Sequence, residues 1–453
     1  MCTISQGPPS LNLNLDILDT VVAWSDRSTL LALMLSCRYL NSEASKRLLQ
    51  HPDLEDYIQI DGKGDQGVMS FVSFMHGTGG DRYCYLRAVT LGGVEISHTV
   101  AEKLVDVLRR AKNLKFFSFR DADSSLSLHR DTVPVLNSLR SIEVLKICLA
   151  GEHTHRLLEN ANWPLLSVEL HGPYISAREL GKRDNTNPMD PFVLLRAARS
   201  TLIQLTCINW IEYGEPFRTL PVYVFPRLVK LDIVQFRSPS AAPWVEPFPN
   251  VREFTTQTFK WYSLRRGDYA PPDLTWEHDR NATKNARLRD RFWPALDVYN
   301  GRTLTDLYLL ALPCPIRRVS LATMPNRWTR IFEDAMRHTQ VKELKIGHLS
   351  PEDLAGDLCA CFECAADSLV ELHWLCLCLE RQEKDTETRD IFAVLVCVPT
   401  HPHSRLLNAA TARRSLWPTK SRRSRNPHLT NRRQTPEKRL APKSVALSSS
   451  RRR

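Results

Sequence analysis

A short apolar pattern recurs along most of this chain and limits what the chain can fold into. The pattern is an apolar residue, two residues of any kind, an apolar residue, one of any kind and a further apolar residue. It is typical of a strand with one buried face, because alternate side chains of a strand point to opposite faces. The first residues of its occurrences are Leu86, Leu114, Ile142, Leu165, Leu202, Leu228, Leu304, Val341 and Leu369.

The spacing of the pattern carries more weight than any single match. The occurrences at residues 86, 114, 142 and 165 are 28, 28 and 23 residues apart, and 202 precedes 228 by 26. Helix-like stretches lie between predicted strands: residues 97–113 have apolar residues at helical spacing, and Ser350-Pro351 is typical of a helix start. We therefore predict an α/β fold whose strand-plus-helix units bury their apolar faces by stacking on one another.

This period resembles that of leucine-rich repeats, which is about 20–29 residues. The resemblance implies a leucine-rich-repeat-like solenoid over residues 85–398, with one strand and one helix in each repeat. The array is irregular, because the occurrences at 165 and 202 are 37 residues apart. A generic α/β domain with alternating strands and helices is the alternative.

The net charge of +11 is distributed unevenly. Residues 401–453 contain 15 lysines and arginines and one acid, Glu437, so they carry +14 and the rest of the chain carries −3. The isoelectric point therefore does not make the folded part a nucleic-acid binder. We predict that residues 399–453 are a disordered basic tail. Nuclear import or contact with nucleic acid through this tail alone, an unselected extension and a gene-model error all stay open.

Nothing in the sequence predicts a membrane span or a secretory signal. We expect a cytoplasmic or nuclear protein whose 12 cysteines are reduced thiols. One cysteine-rich region suggests a zinc site. The spacing of its cysteines is irregular, however, and we prefer to interpret them as buried thiols. Its residues are Cys359, Cys361, Cys364, His373, Cys376 and Cys378.

Catalytic motifs are missing from the sequence. It contains no glycine-rich phosphate loop, no G-x-S-x-G elbow and no H-E-x-x-H pair. We predict that the chain is not an enzyme in its own right and needs no metal or cofactor.

Residues 11–50 are dense in leucine and predict three short helices after a disordered leader at 1–10. One apolar stripe starts behind Asn14, and a second follows a polar hinge at residues 25–28. A third helix is predicted from Tyr39 to Leu49. Three helices of this length cannot bury all of these apolar side chains among themselves. We expect the adjoining domain or another protein to cover the remaining apolar surface. Residues 51–84 are predicted to be a linker or loop.

The same segment resembles the F-box family. Residues 13–18 read LNLDIL, Asp26 is followed by Leu30-Leu31, and residues 35–40 read LSCRYL, which match three ordered sub-motifs of that family. The departure is Asn14, where the family usually has proline. With the repeats, the chain is similar to F-box families expanded in mushroom-forming fungi.

The F-box resemblance implies a substrate-recruiting subunit of an SCF-type ubiquitin ligase. The F-box would bind the Skp-type adaptor and through it a cullin scaffold, and the repeats would bind a protein target whose contact residues the sequence does not reveal. Two other readings stay open: the helices only cap the repeats of a binding scaffold, or the chain is a nuclear protein that acts through its tail. The implied adaptor-binding residues are Leu13, Ile17, Leu18, Val21, Leu30, Leu31, Leu35, Cys37 and Leu40.

Overall fold

The computed structural model describes residues 14–50, 59–60, 64–77, 82–92, 96–172, 191–208, 223–235, 240–258, 272–323, 329–337, 339–349, 374–381 and 390–397. The chain divides into two units, Met1–Leu406 and Leu407–Arg453, and all of these residues belong to the first. Among them, no helix is both long enough and apolar enough to cross a membrane.

Three helices begin the described part of the chain, as predicted: α1 (Leu15–Trp24), α2 (Arg27–Met34) and α3 (Arg38–Gln50). Polar side chains start the first two. Asn14 Oδ1 accepts the Asp16 N–H at 2.9 Å, and Asp26 Oδ1 accepts the Thr29 N–H at 2.8 Å. Asparagine is one of the preferred N-cap residues, so the sequence predicts this cap. The helices have a small core of their own, formed by Val22, Leu30, Leu40 and Ala44.

The strands of the described residues form one 13-stranded sheet in which each strand pairs with the next along the chain. All pairs are parallel except the last, which is antiparallel. The predicted α/β class is thus confirmed. The strands are β1 (Gln59–Ile60), β2 (Ala88–Leu91), β3 (Phe116–Phe119), β4 (Val144–Ile147), β5 (Ser167–His171), β6 (Gln204–Ile208), β7 (Lys230–Gln235), β8 (Glu253–Thr258), β9 (Leu296–Thr303), β10 (Ile316–Thr323), β11 (Glu343–Leu349), β12 (Trp374–Arg381) and β13 (Asp390–Cys397).

Helices occupy many of the connections, as parallel pairing requires a crossover between successive strands. They are α4 (Gly64–His76), α5 (Arg82–Tyr85), α6 (His98–Arg110), α7 (Ala122–Ser127), α8 (Thr132–Ser138), α9 (Glu152–Asn160), α10 (Pro191–Leu194), α11 (Ala242–Val245), α12 (Pro272–Arg287), α13 (Leu304–Leu310) and α14 (Thr329–Met336). The helix predicted within residues 97–113 is α6, and its apolar stripe is buried.

The apolar pattern marks the inward side of the strands. In β4, Leu145 and Ile147 are fully buried, and by register they lie opposite Val168 and Leu170 of β5. Burying such a side chain contributes about 1.5–3 kcal/mol. All three apolar residues are buried in each of seven occurrences, which begin at Leu86, Leu114, Ile142, Leu165, Leu202, Leu228 and Val341. They join one continuous core that extends from Leu49 to Ile346.

The occurrence at Leu304 is not a strand, so that prediction is wrong. Leu304, Leu307 and Leu309 lie in α13, which starts with a capping box. Thr303 Oγ1 accepts the Asp306 N–H at 3.2 Å, and the Asp306 carboxylate accepts the Thr303 N–H at 3.1 Å. Because all seven residues of α13 are buried, no polar face reveals its helical period. The strand of this repeat is β9, which precedes the helix.

The linker predicted over residues 51–84 is also wrong in its described part. Val68, Val72 and Met75 follow one another at helical spacing on α4, and all three are buried in the main core. The glycines on either side of this segment indicated a loop, but they mark only its ends. The first unit of the array therefore begins before residue 85.

Several predictions fall outside the described residues. These are the leader at 1–10, Leu13, the helix start at Ser350, the strand positions Leu369 and Leu372, and the basic tail at 399–453.

Arg82 connects the N-terminal helices to the array. Its Nη2 donates to Asn41 Oδ1 at 2.7 Å, its Nη1 donates to the Phe74 carbonyl oxygen, and its guanidinium lies 4.3 Å from the centre of the Phe74 ring. Asn41 Nδ2 in turn donates to the Met34 carbonyl oxygen at 2.8 Å. Because Leu49 lies in the main core, α3 is shared between the helical module and the array.

Asn285 supports the end of the buried helix α13, and its loss should destabilise the array. Its Nδ2 donates to the carbonyl oxygens of Leu310 and Ala311 at 2.8 and 2.9 Å, and the residue is 1% exposed. Asn285→Ala should lower the free energy of unfolding by about 1–3 kcal/mol, because buried carbonyls lose their donor. Thr275→Ala, at an exposed position of α12, should change it little. Equal urea midpoints for the two variants would contradict this role.

Candidate functional site

The N-terminal helices expose an unusual amount of apolar side chain. Of the 11 large apolar side chains that are exposed in the described residues, six lie in α1, in α2 or directly after α2. Single exposed apolar residues are common on protein surfaces, but a group of them in one region is typical of a site where another molecule binds. We call the six the N-terminal apolar surface: Leu15, Ile17, Val21, Trp24, Leu31 and Leu35.

Helical spacing explains why these side chains point outwards together. Ile17, Val21 and Trp24 follow one another at intervals of four and three, so they share one face of α1. Leu31 and Leu35 are four residues apart and form a second exposed stripe, on α2 and its C-cap. Trp24 and Leu35 are each 88% exposed. Both helices are therefore apolar on an outward side as well as on the side that packs inwards.

The nine predicted adaptor-binding residues divide into four groups. Ile17, Val21, Leu31, Leu35 and Cys37 are exposed, so a partner could reach them. Leu18 is half-buried and packs against the small helical core. Leu30 and Leu40 are 1% and 7% exposed and belong to that core, so their direct contact with a partner is not supported. Leu13 lies outside the described residues.

Two members of the surface were not among the predicted residues. Leu15 is 53% exposed at the start of α1, and Trp24 lies at its end. The spacing of seven residues between Ile17 and Trp24 was visible in the sequence and could have identified the tryptophan. Leu15 had no comparable signal, because its helical position alone would place it beside buried Val22.

Hydrogen bonds between the three helices hold the surface in place. The Tyr39 hydroxyl donates to Asp19 Oδ1, and this bond raises the pKa of Tyr39 to about 12. Arg47 Nη2 donates to the Ala23 carbonyl oxygen at 3.0 Å, which connects α3 to the end of α1. The pKa of Asp26 is lowered by the backbone N–H of Thr29, so the α2 cap is an ionised carboxylate at neutral pH.

The outward side of the sheet is the second surface available for binding. Many of its side chains are polar, and some pair across neighbouring strands: Thr206 Oγ1 donates to Asp232 Oδ2 at 3.2 Å, and Arg318 Nε donates to Glu343 Oε2 at 2.6 Å. Asp232 Oδ1 is buried and has no hydrogen-bond partner among the residues that the structure describes. A row of charged and hydroxyl groups on rigid strands suits the recognition of a polar macromolecular surface.

The described residues contain no group of three or more His, Cys, Asp or Glu side chains placed to hold a metal ion. In the cysteine-rich region, Cys359, Cys361, Cys364 and His373 lie outside the described residues. Cys376 and Cys378 lie on β12, with register partners on β11 and β13.

Comparison with known proteins adds no family assignment. No protein-family model matches the chain. No curated protein is significantly similar to it either.

Neighbouring leucines on α2 should differ sharply in what they contribute. Leu30→Ala removes a side chain that is 1% exposed and should destabilise the three helices by about 2–5 kcal/mol. Leu31→Ala changes one that is 48% exposed and should cost less than about 1 kcal/mol. Amide hydrogen exchange over residues 15–50 measures both. Similar protection in the two variants would contradict the division into core and surface.

Proposed function

We propose that this chain is the substrate-recruiting subunit of an SCF-type ubiquitin ligase. In this proposal the N-terminal helices are an F-box that binds a Skp-type adaptor, and through it a cullin scaffold. The array is a set of divergent leucine-rich repeats that binds a protein target. The single observation that carries the proposal is the N-terminal apolar surface, which lies on the same segment as the three F-box-like sub-motifs.

The N-terminal apolar surface is energetically unfavourable in water. Leu15, Ile17, Val21, Trp24, Leu31 and Leu35 are all exposed to water, and each would stabilise the protein more if it were covered. An interface whose centre is made of leucine, isoleucine and tryptophan is typical of a stable protein–protein contact. Asn14 caps α1 through its side chain, so the loss of the usual proline does not remove the helix start.

The array supports the second half of the proposal. Its parallel strands follow one another in chain order, and the spacing of β2 to β5, whose first residues are 88, 116, 144 and 167, resembles the period of leucine-rich repeats. Many of the outward side chains are polar, and some form cross-strand pairs such as Arg318–Glu343. A protein with one apolar docking module and one polar binding face can bring two partners together while the ligase chemistry belongs to other subunits.

Two charges placed on the apolar surface should abolish adaptor binding without unfolding the helices. Ile17 and Leu31 are 58% and 48% exposed, so Ile17→Asp with Leu31→Asp should fold normally. The double variant should bind a purified Skp-type adaptor at least about tenfold more weakly, because an interface would bury unpaired carboxylates. Biolayer interferometry on the full chain gives the dissociation constants.

The matched control places the same two charges on exposed apolar residues of the array. Val224 and Val229 are 45% and 37% exposed, and Val224→Asp with Val229→Asp should leave adaptor binding unchanged. Circular dichroism verifies that both variants are folded. Wild-type affinity in the Ile17/Leu31 variant would sink the proposal.

A leucine-rich-repeat scaffold without a ubiquitin role is the second candidate. The observation that favours it is the connection between α3 and the array, through Leu49 in the main core and the Arg82–Asn41 hydrogen bond. In that case the N-terminal helices serve only as a cap.

Deletion of residues 1–36 separates the two candidates, because it removes α1 and α2 but keeps Asn41 and Leu49. If the helices are an F-box, the urea midpoint of the array should stay the same while adaptor binding is lost. If they are a cap, the midpoint should fall and no adaptor should bind even to the intact chain. Denaturation followed by circular dichroism and the same interferometry assay give both readouts.

A further inference from the structure

A row of residues at the amino ends of the strands forms a continuous ladder along the sheet. Each residue donates its backbone N–H to the equivalent residue of the preceding strand: Ile203 donates to the Leu166 carbonyl oxygen at 2.8 Å, and Val229 donates to that of Ile203 at 2.8 Å. None of the residues in this row is buried. We call the row the amino-end ladder: Arg87, Lys115, Glu143, Leu166, Ile203, Val229, Arg252, Asp297, Arg317 and Lys342.

The centre of the amino-end ladder is apolar. Leu166 is half-buried, and Ile203 and Val229 are 36% and 37% exposed. Neighbouring strands are about 4.8 Å apart, so the three side chains form an apolar strip about 10 Å long. Charged residues follow on both sides of the strip. An apolar centre with a charged rim is the usual anatomy of a surface that binds another protein.

On the β3 side of the strip, each lysine is already paired with a carboxylate. Lys115 Nζ lies 2.8 Å from Glu143 Oε1, and both residues belong to the ladder. On the adjoining outward side of the sheet, Lys146 Nζ lies 3.8 Å from Glu169 Oε2. These lysines therefore offer little unbalanced charge to a partner.

The other end of the ladder is basic. Residues 316–323 and 342–349, which include β10 and β11, contain four lysines and arginines and one carboxylate, so they carry +3 although the chain before residue 401 carries −3. The carboxylate is that of Glu343, whose Oε2 accepts Arg318 Nε at 2.6 Å and whose Oε1 lies 3.7 Å from Arg317 Nη2. One acid thus serves two guanidinium groups. We call the four cations the basic end: Arg317, Arg318, Lys342 and Lys345.

The chemistry of the strip favours a protein over a nucleic acid as the partner. Proteins hold unpaired bases mainly by stacking them on aromatic side chains. Leu166, Ile203 and Val229 have no rings, but they suit aliphatic side chains of a polypeptide. Carboxylates on the same polypeptide would complement the basic end.

We propose that the amino-end ladder binds an extended segment of a protein target, with apolar residues over the strip and acidic residues over the basic end. This inference rests on the proposed function, in which the array binds a protein target, and it names the chemistry of that target. Val229 and Arg317 lie three strands apart, or about 14 Å. Because an extended chain advances about 3.4 Å per residue, the acidic residues should lie about four positions from the apolar ones.

Selection from a random-peptide library displayed on phage tests the inference on the full-length chain. One double variant, Ile203→Ser with Val229→Ser, removes the apolar strip, and a second, Arg317→Gln with Lys342→Gln, weakens the basic end. Peptides selected on the wild type should carry apolar residues and, about four positions away, acidic ones. Their enrichment on either variant should fall at least about tenfold, because the interface loses its centre or its charge complement. Sequencing of the selected phage measures the enrichment, and circular dichroism verifies that both variants are folded.

Two control variants locate the effect on the ladder. Arg109→Gln with Arg110→Gln removes two cations of α6 that are 52% and 54% exposed, and Ile17→Asp with Leu31→Asp alters the N-terminal apolar surface. Both should select the same peptides as the wild type. Acidic peptides that bind the basic residues 401–453 are enriched equally on every variant, so they can be recognised and set aside.

The inference is wrong if no peptide loses enrichment on both ladder variants, or if the peptides that do so lack acidic residues. Displacement of the selected peptides by oligouridine would assign the ladder to nucleic acid and overturn it. A wild-type dimer that Ile203→Ser with Val229→Ser dissociates in analytical ultracentrifugation would place a second copy of the chain on the ladder and overturn it as well. Ladder-dependent selection by a chain that binds no Skp-type adaptor would instead refute the ligase role alone.

Discussion

The in-register parallel pairing of the strands is the constraint on which the rest of the structure depends. Each strand places its alternate apolar residues on one side, and the register brings them opposite the equivalent residues of the next strand, as Ile147 faces Leu170. One core therefore runs from Leu49 to Ile346 without a break. No unit can bury its own apolar face, so the array folds as a whole and its other face stays free for polar groups.

The N-terminal helices differ from the array because several of their large apolar side chains are exposed to water. Their small core uses Val22, Leu30, Leu40 and Ala44, and it leaves the larger apolar residues of α1 and the Leu31/Leu35 stripe in water. The module is anchored to the array by α3, through Leu49 in the main core and through Asn41, which accepts a hydrogen bond from Arg82. Rigid attachment of an apolar docking module beside a polar binding face is the physical basis of the proposed recruiting role.

Sequence reasoning succeeded where the pattern is local. Seven occurrences of the apolar pattern coincide with buried strands, and Asn14 caps α1 as its residue type indicates. It failed at Leu304, because a fully buried helix has no polar face and its apolar residues can imitate a strand. It failed again over residues 64–76, where flanking glycines suggested a loop although Val68, Val72 and Met75 have helical spacing.

The sequence by itself determined the α/β class, the repeating strands and the three N-terminal helices, because propensity, capping and periodicity act between residues close in the chain. Only the tertiary structure decided which leucines of α2 are core and which are surface, since that depends on what packs against each side. It also decided that Lys146 lies beside Glu169, with Lys146 Nζ 3.8 Å from Glu169 Oε2. Twenty-three positions separate them in sequence, and only the register between β4 and β5 brings the two side chains together.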